Sequence, residues 1–210
     1  MTTRLQLRNN IVRCLQPLAY WIGYTNEVNR GETIPELAIG AKLFSLLQSV
    51  KPTGYVVKSE LATSKLLQPN HKIERPGNVD ICMHKRGKPR GTPNHPTVVI
   101  ELKKYCRPGV LHKDLKRLSG LRKSLSGDPL TISIVTNQNK VPDYFLRKYG
   151  RSDYAFKGKR DIIGCELTHK FYVRRVCKAL STNYLIQSKN KTTKKATQKI
   201  GHFVTLLEVI

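Results

Sequence analysis

Apolar side chains recur at three- and four-residue spacing in some stretches of this chain, and at two-residue spacing or in unbroken runs in others. The first pattern predicts helices and the second predicts strands. Leu7, Ile11, Leu15 and Leu18 share one helical face with basic residues between them. They predict a helix over 5–16 that Pro17 limits or kinks. Residues 24–32 read as a loop. A second helix is expected to run to about residue 50. It opens at Thr33–Ile34–Pro35–Glu36, where Thr33 suits an N-cap and Glu36 completes a capping box. Leu37, Ala41, Phe44 and Leu47 line one face, and Leu43, Leu46 and Val50 widen it, so this helix is expected to be largely buried. Over 110–125, Leu111, Leu115, Leu118, Leu121 and Leu125 form the stripe of a third helix.

Strands are predicted at 55–60, 79–83, 97–104 and 130–136, then at 161–167, 171–180 and 202–209; the 171–180 segment also fits a helix. Short helical pieces are expected at 61–67 and 141–149. The order predicts an α/β protein, more fully an α+β mixed sheet flanked by helices, with extra C-terminal strands. We expect one domain over 1–210, with its core at about 33–137 and a β elaboration at 160–210. Residues 187–199 are polar and basic, and read as a solvated loop or a nucleic-acid-contacting arm.

The strand at 97–104 is unusual. Side chains alternate faces along a strand, so Val98, Ile100 and Leu102 point one way. Glu101 and Lys103 lie side by side on the other face, next to Val99. Such a pair in an apolar strand costs desolvation energy unless it is matched or binds something. On the 79–83 strand, Val79, Ile81 and Met83 are expected on one face and Asp80, Cys82 and His84 on the other.

Charge changes the picture further. The chain has 38 Lys and Arg against 14 Asp and Glu, a net charge of +24. That excess points to a polyanionic partner, and nucleic acid fits better than a membrane because the basic residues are spread along the chain. Lys113, Lys116, Arg117, Arg122 and Lys123 lie off the leucine stripe of the third helix, and Lys85, Arg86, Lys88 and Arg90 follow the Asp80 strand. These are the candidate phosphate contacts. The 5 cysteines show no metal-ligand spacing and read as reduced thiols. With no apolar run long enough to span a bilayer and no secretory signal, the expected location is cytoplasmic or nucleoid-associated. The N-terminal stretch with Arg4, Arg8 and Arg13 fits a helix packed on the core, with a solvated basic face, better than a transit peptide.

With carboxylates so scarce, Asp80 and Glu101 on neighbouring strands invite a chemical role. Two carboxylates brought together repel unless one is protonated or a divalent cation lies between them. Mg²⁺, or Mn²⁺, suits such oxygen ligands, and Lys103 beside them could orient or deprotonate a water and stabilise developing negative charge. Asp80, a gap of twenty residues and then Glu101–Leu102–Lys103 resemble the PD-(D/E)XK nuclease superfamily, which has the restriction-endonuclease-like fold. Asp80 follows Asn78–Val79 here, without the proline of the name-giving pattern. The resemblance covers about 33–137. It implies Asp80, Glu101 and the main-chain carbonyl of Leu102 as Mg²⁺ ligands, with Lys103 assisting the attacking water. Glu36 and Glu60 become further candidates for the metal site. It implies a metal-dependent phosphodiester hydrolase, with DNA favoured over RNA as substrate and a homodimer left open. Against it stand local explanations: an edge-strand ion pair for Glu101 and Lys103, a strand-start polar residue for Asp80, the capping box for Glu36, a solvated strand end for Glu60, and helix-start electrostatics for Asp114. A non-catalytic nucleic-acid-binding module on the same fold, or a ribonucleoprotein component, are the corresponding alternatives.

Overall fold

The computed structural model describes residues 2–67, 77–87, 96–104, 108–125, 127–138, 158–159, 171–184 and 197–210. Helix α1 (Arg4–Val28) buries Leu7, Ile11, Leu15, Leu18 and Ile22. Thr3 caps it, accepting the Gln6 N–H while the Gln6 side chain accepts the Thr3 N–H at 2.7 Å. The helix runs on through Pro17, beyond the predicted stop, and takes in residues 24–28 of the predicted loop. Pro17 lies on the exposed face. Packing of the opposite face on the sheet and on the second helix outweighs the hydrogen bond that the ring removes.

Helix α2 (Glu36–Val50) starts later than the capping-box pattern predicts, with Pro35 as its N-cap. A proline disfavours helical geometry in the residue before it, so Ile34 cannot serve as the first helical residue. Instead, the Gln138 side chain holds the Ile34 backbone in both directions, at 2.8 and 3.0 Å. Ile39, Leu43 and Leu47 form the buried stripe of α2. Leu37 is 76% exposed, so the helix is half-buried rather than largely buried.

Strands β1 (Tyr55–Ala62), β2 (Asn78–Lys85), β3 (Val98–Lys104), β4 (Leu130–Asn137), β5 (Gly158–Lys159), β6 (Phe171–Tyr184) and β7 (Thr197–Val209) make one mixed sheet in the order β1-β2-β3-β4-β7-β6-β5. Helix α3 (Pro108–Ser124) connects β3 to β4, which run parallel; the other pairings are antiparallel. The chain is thus α/β, a mixed sheet flanked by helices. Helices α1 and α2 cover one face, over Val98, Ile100, Leu102, Ile132 and Ile134. The leucine stripe of α3 covers the other, over Cys82, Val99, Val135 and Leu207. Every residue of β4 is buried, as expected of a central strand.

The segment expected to be helical at 61–67 holds only a 3₁₀ turn, Thr63–Lys65. The 171–180 segment is strand, and a register shift between Val173 and Arg175 re-aims its side chains. Val173 packs under α3, whereas Cys177 and Ala179 pack under α1. The predicted helix at 141–149, the strand at 161–167 and residues 187–196 of the basic loop lie outside the described residues. Residues 197–199 of that loop belong to β7. Cys14, Cys82 and Cys177 are free and buried. Among the described residues, no helix is long and apolar enough to cross a membrane.

Glu208 on β7 anchors α1 to the sheet. It is 2% exposed, and both of its oxygens are bonded. Oε1 accepts from Arg4 at 3.3 Å; Oε2 accepts from Arg8 at 3.2 Å and from Arg174. The N-terminal arginines expected on a solvated face are therefore partly turned inward. Arg4 also pairs with Asp128 at 2.5 Å.

Candidate active site

The site arises where the sheet forks. Strands β2 and β3 pair only from Ile81 to Met83 against Val98 to Ile100. Beyond Ile100, β3 stays with β4 as far as Lys104, while β2 stays with β1 back to Asn78. The edge of β3 freed by this divergence needs partners for its N–H groups. Two carboxylates supply them. Asp80 Oδ2 accepts the Leu102 N–H at 2.6 Å, and Glu36 Oε2 accepts the Lys104 N–H at 2.6 Å. Glu36 thus serves β3 rather than a capping box. Thr33 accepts a bond from Lys104 Nζ at 3.1 Å. Within a strand the N–H and C=O of one residue share an edge, so the Leu102 carbonyl opens on the same fork as Asp80.

Strict alternation fails next to the fork. Val79 and Cys82, three positions apart, both pack under α3. Glu60 on β1, beside this stretch, has a positive φ of 49°, uncommon for a residue with a side chain.

Glu101 is 3% exposed on the α3 side of β3. Its Oε1 receives Lys103 Nζ at 3.2 Å and Arg117 Nη2 at 2.5 Å. Its Oε2 is buried and has no hydrogen-bond partner among the described residues. Burial and then the negative charge of Asp80 push the Glu101 carboxyl up, against Arg117 and Lys103. Asp80 is also raised, first by burial and further by Glu36, although the Leu102 N–H opposes this. Burial would lower Lys103, but Glu101 and then Asp114 outweigh it, and the net shift is upward. At neutral pH Lys103 is an ammonium, a donor and a positive charge rather than a free base.

The fork places Asp80, the Leu102 backbone, Glu101 and Lys103 together, with Glu36 at the Lys104 end. Glu60 is exposed and shares with Glu36, Leu37, Phe44 and Asp80 a cleft of about 390 Å³ between α2 and the strands. Among the described residues, no three His, Cys, Asp or Glu side chains form a ready-made cation cage. The donors suited to Mg²⁺ are hard oxygens, Asp80, Glu101 and the Leu102 carbonyl, and the bare buried Glu101 Oε2 is what such a ligand set would use.

Of the expected phosphate contacts, Lys113, Lys116 and Lys123 project from α3 into solvent, and Lys85 and Arg86 are exposed at the end of β2. Arg117 and Arg122 turn inward instead, Arg117 to Glu101 and Arg122 to Asp128 at 2.7 Å. Lys88 and Arg90 lie outside the described residues. Asp114, expected to serve only the helix start, faces the site. Burial raises its carboxyl against the opposing charges of Lys103 and Arg117, and its buried Oδ2 has no partner among the described residues. Asp114 and Arg117 are three residues apart and share a helix face. That spacing, on the helix that follows the Glu101 strand, is the signal that could have found them. No protein-family model, curated protein or solved structure matches the chain.

Proposed function

We propose that the chain is a Mg²⁺-dependent nuclease of the PD-(D/E)XK type with a restriction-endonuclease-like core. It hydrolyses phosphodiester bonds, acting as an endonuclease with DNA as the favoured substrate. The observation that carries this is the forked strand pair: Asp80 is held against the Leu102 N–H, one residue from a buried Glu101 with a bare oxygen. Asp80, Glu101 and the Leu102 carbonyl would hold the ion, which Mn²⁺ could replace. When bound, the ion neutralises charge at the scissile phosphate and lowers the pKa of a water. Lys103, an ammonium beside Glu101, donates to and orients the attacking water and offsets the negative charge that develops. The exposed lysines of α3 grip the nucleic-acid backbone alongside.

The test is relaxation of supercoiled plasmid in Mg²⁺. Wild type is expected to nick it, EDTA to stop it, and Asp80→Asn or Lys103→Met to slow it about a hundredfold or more. Unchanged rates in both variants would remove the assignment. One observation favours a second function, a non-catalytic nucleic-acid-binding module on the same fold. Arg117 already compensates Glu101 without any cation. That function requires tight, salt-sensitive binding with no metal-dependent cleavage.

A further inference from the structure

We propose that Arg117 is a positioning residue of this site. It holds Glu101 by one oxygen, so that the other is presented to the cation. The proposal rests on the metal-dependent function above.

The Arg117 side chain is 15% exposed, so it is not a free surface cation. Its Nη2 meets Glu101 Oε1 at 2.5 Å, and its Nη1 donates to the Asn78 carbonyl at 3.2 Å. Asn78 opens β2, two residues before Asp80. One rigid, planar group therefore joins α3, the Glu101 carboxylate and the head of the strand that carries Asp80. A guanidinium can make both bonds at once, whereas an ammonium offers a point charge.

The bonding at Glu101 is lopsided. Among the described residues, Oε1 takes two cationic donors and Oε2 takes none, although it is buried. A buried carboxylate oxygen left bare is costly, and a purely structural ion pair gains by sharing its donors across both oxygens. Glu208 shows that distribution in the same sheet. Asp114, one helical turn before Arg117, adds negative charge beside Arg117 and Lys103.

The role differs measurably from the phosphate contact expected for Arg117 from its place off the leucine stripe. Loss of a phosphate contact weakens nucleic-acid binding and lowers the salt slope by about 1. Loss of a residue that orients a ligand weakens metal binding about tenfold or more.

The experiment uses the full chain as wild type, Arg117→Met and Arg117→Lys, all checked for folding by circular dichroism. Mn²⁺ alone is titrated without DNA, with the free ion read by electron paramagnetic resonance. Duplex DNA binding is measured separately in EDTA over a salt series. Expected is Mn²⁺ binding in wild type, weakened about tenfold or more in Arg117→Met. Arg117→Lys is also expected to bind Mn²⁺ more weakly, because it cannot bridge Glu101 and Asn78 together, and neither variant is expected to change DNA affinity or its salt slope. If Arg117→Met does not fold, Arg117→Lys alone decides. Mn²⁺ binding equal to wild type, or tighter, in the folded variants would overturn the role. So would a lower salt slope with Mn²⁺ binding intact, which identifies a phosphate contact. Failure of wild type itself to bind Mn²⁺ would overturn the metal-dependent function, and this role with it.

Discussion

Glu101 and Glu208 are buried carboxylates in the same sheet, 3% and 2% exposed, and each meets cationic side chains. They titrate in opposite directions. At Glu208 burial works to raise the carboxyl, but Arg174 and then Arg8 outweigh it, and the net shift is downward. At Glu101 burial and Asp80 prevail over Arg117 and Lys103, and the net shift is upward. Contact with a guanidinium does not by itself decide the matter: Glu101 meets one, Arg117, and Glu208 meets three, Arg4, Arg8 and Arg174. What differs is the rest of the shell. Glu208 has both oxygens bonded, whereas Glu101 has one bare oxygen and lies near Asp80. A saturated buried charge is part of the scaffold. A buried carboxylate left short of partners beside another carboxylate bears an uncompensated desolvation cost; under the proposed function, a cation would offset it at Glu101.

The sharpest way to break this comparison is to neutralise each carboxylate and measure single-turnover cleavage per folded molecule. Glu101→Gln is expected to lose about 10³-fold, or about 4 kcal/mol of barrier. Glu208→Gln is expected to keep its chemistry, because its partners lie on α1 and β6, not at the fork. Equal losses would erase the distinction.

Stability should reverse the order. Glu208→Gln leaves Arg4, Arg8 and Arg174 without their shared carboxylate. Only Glu208 is buried and the arginines are half-buried, so breaking the cluster is expected to cost about 2 kcal/mol in urea denaturation. Asp80→Asn keeps an acceptor for the Leu102 N–H and removes a charge that burial and Glu36 disfavour. In EDTA it is expected to raise Tm by about 2–4 °C, although in Mg²⁺ it slows cleavage about a hundredfold or more.

The pH dependence of these differences sharpens the comparison further. The folded pKa of Asp80 lies above its unfolded value of about 3.9, so its contribution is full below that value and is lost as pH rises through the folded pKa. The Tm gain of Asp80→Asn should therefore widen as pH rises from about 4 and shrink in acid. The folded pKa of Glu208 lies below its unfolded value of about 4.3, so its contribution is present above that value and is lost as pH falls. The deficit of Glu208→Gln should hold at neutral pH and close only in strong acid. Thermal melts of the three proteins over a pH series check both signs.

Features encoded by local pattern were legible in the sequence. The leucine stripe of α3, the apolar run of β4 and the polar pair on β3 all emerged from spacing alone. What failed depended on distant or opposing contacts. Pro17 signalled a helix end, yet α1 continues because its apolar face is packed on the sheet and its proline faces solvent. Thr33 and Glu36 matched a capping box, but Pro35 excludes that start and Glu36 bonds Lys104, 68 positions away. Arg117 was expected to contact phosphate because it is off the leucine stripe. A helix beside a forked sheet has a third environment, the fork itself, and Asp114 and Arg117 face it. The candidate site was thus legible in its strand residues and in Glu36 at the start of α2, and hidden in Asp114 and in the inward turn of Arg117 on α3.

The most direct measurement is the anomalous scattering of Mn²⁺ soaked into crystals of the protein. A metal site at the fork gives a strong peak there, about 2.1 Å from Glu101 Oε2 and from a carboxylate oxygen of Asp80. The absence of a peak there, with Glu101 bonded to Arg117 and Lys103 alone, would contradict a metal-dependent site.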